Sequence, residues 1–150
     1  MSKSVIIKKH GGPEVLELQD FEVGSPGPDE IKITNQAIGL NYIDTYHRSG
    51  LYPLPLPSGI GLEGAGIIDE IGSNVKDLNK GDNVAYANMP IGSYSQQRII
   101  PAKIVVKIPN EISHKTAAIL MTKGLTTNYL LTETYPLKAG ETVLFHAAAG

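Results

Sequence analysis

The sequence predicts a mainly β fold, a closed or partly open barrel with short helices, over the first 109 of its 150 residues. A helical connection and one strand entering a glycine-ended turn follow. Two observations carry this. Short apolar segments recur at close spacing, each bounded by glycine, proline or polar turns, which is the pattern of many short strands. After Ser113 the apolar residues change to helical spacing. The 16 glycines and 10 prolines are spread between these segments as punctuation, without a repeat or a low-complexity run.

Taken in order, "SVIIKKH" (4–10) and "VLELQDFEV" (15–23) are strands separated by the turn signal "GGPE". "IKITNQAIGL" (31–40) follows the loop "GSPGPDE", and "GAGIIDEIG" (64–72) has a β-branched centre between glycines. "NVAYA" (83–87), "SYSQQRII" (93–100) and "KIVVKIP" (103–109) complete the β set. "NYIDTYHR" (41–48) reads as a short helix with Asn41 as its cap, and Tyr42 and Tyr46, four apart, share a face. Ser113 caps a second helical stretch, whose apolar face is Ala117, Ala118, Leu120, Met121, Leu125 and Tyr129. Gly124 is expected to break or kink it into two helices. "PLKAGE" (136–141) is a turn, and "TVLFHA" (142–147) reads as a buried strand.

The composition excludes several functions. A net charge of −2 without a basic run argues against nucleic acid as a partner. Cysteine is absent, which removes disulfides, thiolate metal sites and a cysteine nucleophile. Apolar stretches are too short to span a bilayer, and "MSKSVIIKKHGG" lacks a secretory pattern, so no membrane partner and a cytoplasmic location are expected. The histidines, His10, His47, His114 and His146, lack metal-site spacing. Gly-x-Ser-x-Gly is absent.

Four features bear on chemistry. "AAG" at the end places Ala148 and Gly150 at the first two glycine positions of a dinucleotide-binding turn, with Ala149 between them; an ordinary strand and loop fits the residues equally well. "GIGLEGAG" (59–66) is a phosphate cradle or a tight turn into the next strand, and without a following lysine the turn is favoured. Glu63, a carboxylate among small residues, is of the kind that caps backbone N–H groups or holds a buried partner. Tyr42, Tyr46 and Tyr52 lie within "NYIDTYHRSGLYPLPLP" and either line a pocket for a flat ring or pack in the core.

Six strings together, "HGGPEVLEL", "AIGLNYIDTYHRSGLYP", "LPSGIGLEGAGII", "VKDLNKGDNVAYA", "KGLTTNYLL" and "GETVLFHAAAG", resemble one family. It is the NADPH-dependent quinone oxidoreductases, the zinc-free, zeta-crystallin-like branch of the medium-chain dehydrogenases/reductases. The resemblance covers essentially the whole chain and implies the N-terminal half of such a protein. Residues 1–120 would form most of a GroES-like catalytic β-barrel, and residues 121–150 the connecting helix and first strand of a Rossmann NADPH-binding domain. It implies hydride transfer from NADPH to a quinone or conjugated enone, and a homodimer for the full-length protein. A zinc-free enoyl or alkenal reductase is the nearest alternative. For residues 1–150 alone, a barrel without catalysis and with very weak NADPH binding is expected.

The resemblance also assigns residues. Where zinc-dependent relatives carry a cysteine this chain has Asn41, and where they carry the histidine of Gly-His-Glu it has Leu62, so no zinc is expected. The segment Asn41, Tyr42, Ile43, Asp44, Thr45 and Tyr46 matches the nicotinamide-facing loop. Lys123, Thr126 and Tyr129 match further cofactor contacts, as do Ala148, Ala149 and Gly150 in the terminal turn. Tyr46 and Tyr52 are expected in the substrate pocket. No dedicated general acid is evident, and water or a tyrosine hydroxyl is expected to supply the proton.

Overall fold

The computed structural model describes residues 1–146, and they form two antiparallel sheets wrapped into a partial barrel with two helices. The first sheet has the order β2-β1-β4, built from β1 (Ser2–Ile7), β2 (Glu17–Phe21) and β4 (Ser58–Gly59). The second has the order β7-β3-β5-β6-β8, from β3 (Glu30–Gly39), β5 (Glu63–Ile71), β6 (Asn83–Tyr86), β7 (Gln97–Pro101) and β8 (Val105–Lys107). A bridge between Ser4 and Ser95 joins the two sheets. α1 spans Tyr42–Ser49 and α2 spans His114–Tyr129.

The β3 strand shows why this sequence closes. Ile31 and Ile33 alternate inward and pack with Ile68, Val84, Tyr86 and Ile100 as the barrel core. Asn35 continues the inward row as a polar residue, and its needs are met. Its amide donates to the carbonyls of Ser93 and Ser95, and its oxygen accepts from the Tyr86 hydroxyl at 2.9 Å. The Arg98 guanidinium lies 4.9 Å from the centre of the Tyr86 ring. A second cluster, Ala65, Ala85 and Ile108 against Ala117 and Ala118, seats α2 on the outside of the larger sheet. Small residues on both sides let the helix approach closely. Gly39 marks the tightest point, since a Cβ there would collide with the Ala118 carbonyl and the Glu63 carboxylate.

The strands and helices fall near where the sequence places them, though β1 ends at Ile7 and β7 and β8 are shorter than the expected 93–100 and 103–109; three further differences stand out. Gly124 does not divide its helix: α2 runs unbroken from His114 to Tyr129, because a single glycine costs only about 1 kcal/mol in a helix interior. A π turn at Leu130–Thr134 then ends it. The expected strand at 142–147 is not formed over its described part, 142–146, where Val143, Leu144 and Phe145 are exposed. A strand needs a neighbour for its backbone hydrogen bonds, and no described strand lies beside this one. β4, two residues long, is too short for any period to announce it.

Candidate functional site

Three elements meet where β3 gives way to α1. Asn41 sits at the N-cap position of α1, as its residue type favours, in a capping box with Asp44. Its Nδ2 donates to Glu63 Oε2 at 2.7 Å and its Oδ1 accepts from Lys123 Nζ at 2.9 Å. Glu63, at the start of β5, is completely buried. Its second oxygen accepts from the backbone N–H of Thr122 in α2 at 2.6 Å. Lys123 Nζ lies 3.9 Å from Glu63 Oε2 and 3.3 Å from the Leu40 carbonyl that it also donates to. The carboxylate among small residues therefore holds both an N–H group and a buried amide.

The helix α1 is fixed independently. The Asp44 carboxylate accepts from the Asn41 N–H at 3.0 Å and from the Tyr94 hydroxyl at 2.9 Å. Burial, and then the hydrogen bond to Asp44, raise the Tyr94 phenol well above its ordinary value of 10.0. Burial likewise raises Tyr86. Gly50 closes α1 in the left-handed region, with φ 85°, and donates to the carbonyls of Tyr46 and His47.

Tyr42, Tyr46 and Tyr52 form a continuous edge-to-face row, with ring centroids 5.4 Å apart at each step. Tyr42 and Tyr52 are exposed rather than packed in the core. Tyr46 and Ile43 are half-buried, as is Thr45, whose hydroxyl is spent on the Tyr42 carbonyl. Asp44 is buried and turned toward Tyr94. On α2, the Thr126 and Thr127 hydroxyls donate to the carbonyls of Thr122 and Lys123 and keep acceptor capacity. Lys123, Gly124, Thr127 and Asn128 line a shallow groove of about 530 Å³. Tyr129 is exposed near the end of the helix. Ala148, Ala149 and Gly150 lie outside the described residues.

The structure brings Asn41 against Lys123 and sets Tyr42, Tyr46 and Tyr52 in one row, while Tyr94 and Thr122 were missed. Tyr94 meets Asp44 across 50 positions, and Thr122 acts through its backbone, so neither leaves a local signal. Among the described residues, no three His, Cys, Asp or Glu side chains converge. Leu62 offers no lone pair, and Asn41 and Glu63 are committed to one another.

A family model, the alcohol dehydrogenase GroES-like domain, matches residues 27–110. The chain belongs to that family. The match contains β3 to β8 and therefore the Asn41–Glu63 pair, while Lys123 lies beyond it. Over its whole length the chain is 53% identical to a quinone oxidoreductase of Pseudomonas aeruginosa, covering 46% of that protein. It is 41% identical to a 2-haloacrylate reductase of a Burkholderia species, covering 47% of it. Among solved structures, a quinone oxidoreductase of Pseudomonas syringae superposes with a TM-score of 0.96 at 52% identity, over all of this chain and 46% of that one. The Escherichia coli quinone oxidoreductase complexed with NADPH superposes with a TM-score of 0.88 at 48% identity, over 91% of this chain and 42% of that one. The chain thus spans about half the length of the relatives it matches.

Proposed function

We propose that this GroES-like domain is the catalytic half of an NADPH-dependent quinone reductase that works without zinc. The observation that carries the reading is 53% identity to a quinone oxidoreductase across the entire chain. The contact between the start of α1 and α2 supports it: the Lys123 ammonium meets the Asn41 amide there, and the ring of Tyr42 that follows is exposed. In this reading residues 1–120 are the catalytic domain and 121–150 lead into the nucleotide-binding domain, with α2 crossing the boundary unbroken.

The side chains suit the nicotinamide end of the cofactor. A carboxamide needs both donors and acceptors, and Asn41, Lys123, Thr126 and Thr127 offer both. Tyr42, Tyr46 and Tyr129 would supply flat apolar surface beside the ring, with Tyr46 and Tyr52 on the substrate side. Ala148, Ala149 and Gly150 would belong to the pyrophosphate turn. NADPH supplies a hydride when bound. The chain's own contribution is positioning: α1 fixes the rings, Glu63 fixes Asn41, and the junction sets the approach of the acceptor. A quinone is electrophilic without a Lewis acid, which fits a site where Asn41 and Leu62 stand at the positions that the resemblance matches to metal ligands of zinc-dependent relatives. A cytoplasmic homodimer is the expected setting of the full-length protein.

The test is NADPH oxidation by the full-length protein with quinones as acceptors. Steady turnover is expected, and no turnover with any quinone or enone would sink the reading. The similarity to a 2-haloacrylate reductase favours a second reading, reduction of an activated carbon–carbon double bond. Comparing kcat/KM for quinones with that for alkenals and haloacrylates decides between them.

A further inference from the structure

The Lys123 ammonium is held from one side only. Asn41 Oδ1 at 2.9 Å and the Leu40 carbonyl at 3.3 Å accept two of its three N–H groups. Glu63 supplies the counter-charge at 3.9 Å and is completely buried, so it cannot swing outward to cover the cation. The side chain of Lys123 is 54% exposed, and its remaining N–H has no partner among the described residues. The orientation of Asn41 follows from hydrogen-bond polarity. A carboxylate only accepts, so Nδ2 must face Glu63 and Oδ1 must face Lys123. Glu63 and Asn41 are therefore positioning residues for the ammonium.

Building on the quinone-reductase reading, we propose that Lys123 is the electrophilic group of the site. Its free N–H binds the acceptor's carbonyl oxygen, where negative charge develops as hydride arrives. The hydride delivers two electrons and one hydrogen to the quinone, which becomes a hydroquinone monoanion while NADPH becomes NADP⁺. Lys123 stabilises the oxyanion and transfers one proton to it from Nζ. Neutral hydroquinone leaves, and the amine recovers its proton from water. This supplies the proton donor for which the sequence offered no dedicated residue. A preorganised donor aimed at developing charge is among the larger single contributions to a rate.

The experiment uses the full-length protein and the variants Lys123→Met, Lys123→Arg and Lys123→Gln. Lys123→Met should lower quinone kcat about 10- to 100-fold, a larger change than that in KM for NADPH, whose nicotinamide end Lys123 also faces in this reading. Lys123→Arg, which keeps the charge but does not give up its proton, should recover oxyanion stabilisation and only part of the rate. The second readout is binding of 4-nitrophenolate, an oxyanion without redox chemistry, followed by its absorbance. It should bind wild type and Lys123→Arg at least about tenfold more tightly than Lys123→Met. If the methionine variant is unstable, Lys123→Gln makes the same comparison with the Asn41 hydrogen bond retained. Wild-type kcat in an uncharged variant, or equal nitrophenolate affinity across the set, would overturn the assignment. A wild type inactive with every quinone and enone refutes the reaction, and the nitrophenolate series still decides the role of Lys123.

Discussion

Glu63→Gln preserves shape and leaves the α1–α2 junction without a consistent set of hydrogen bonds. The carboxylate accepts from Asn41 Nδ2 at 2.7 Å and from the Thr122 N–H at 2.6 Å. Glutamine brings one acceptor and one donor group. If its oxygen faces Thr122, its amide nitrogen faces the Asn41 amide nitrogen. Asn41 can turn over, but its NH₂ then faces the Lys123 ammonium. If the glutamine oxygen faces Asn41 instead, the Thr122 N–H is opposed. One donor always meets a donor. An unsatisfied buried donor costs about 1–3 kcal/mol and loss of a charge-assisted bond about as much again. Lys123 is half-exposed, so its attraction to Glu63 is discounted for solvent, and the total is about 3 kcal/mol. Urea unfolding should report this loss. The double variant Asn41→Asp with Glu63→Gln re-pairs every group: glutamine accepts from Thr122 and donates to Asp at 41, whose other oxygen accepts from Lys123. It should be at least about 2 kcal/mol more stable than the sum of the single losses. A Glu63→Gln protein within about 0.5 kcal/mol of wild type, or strictly additive variants, would refute the polarity argument.

The remaining predictions concern the supports around this junction. Gly39→Ala forces a Cβ against the Ala118 carbonyl and Glu63, and should destabilise the protein by about 3 kcal/mol or more, read as a lower urea midpoint. Tyr94→Phe removes the hydroxyl bonded to buried Asp44 and should cost about 1.5–3 kcal/mol. It should also alter the alkaline limb of stability. A folded-state phenol raised above 10.0 stabilises the fold below that pH, and the contribution is lost as pH rises above it. The fall should be shallower in Tyr94→Phe, though present, since Tyr86 is raised too. Gly124→Ala should stabilise by about 0.5–1 kcal/mol, because the new methyl meets only Leu120 at ordinary contact distance, and thermal melting should show a higher Tm.

Much of the barrel was legible because its signals are local. Ile31 and Ile33 alternate, Asn41 stands where a helix begins, and Ser113 caps α2 by accepting from the Thr116 N–H at 3.1 Å. What escaped was decided by other parts of the chain. The apolar run at 142–146 has a strand's composition and no pairing among the described residues, so composition alone misleads there. Gly124 looked like a break, but helical hydrogen bonds on both sides outweigh one glycine. Glu63 was conspicuous in sequence as a carboxylate among small residues. Its partners were not, since Asn41 and Thr122 lie 22 and 59 positions away. The Asn41–Lys123 contact spans 82 positions and has no period to betray it.

Those separations also set an order of events during synthesis. Glu63 leaves the ribosome 59 residues before Thr122, the group that satisfies its second oxygen. A barrel that closed around the carboxylate at once would hold an acid with one partner and no cation. The closed state gains its full stability only when α2 emerges and docks. The carboxylate therefore ties the barrel's final stability to the helix that carries Lys123.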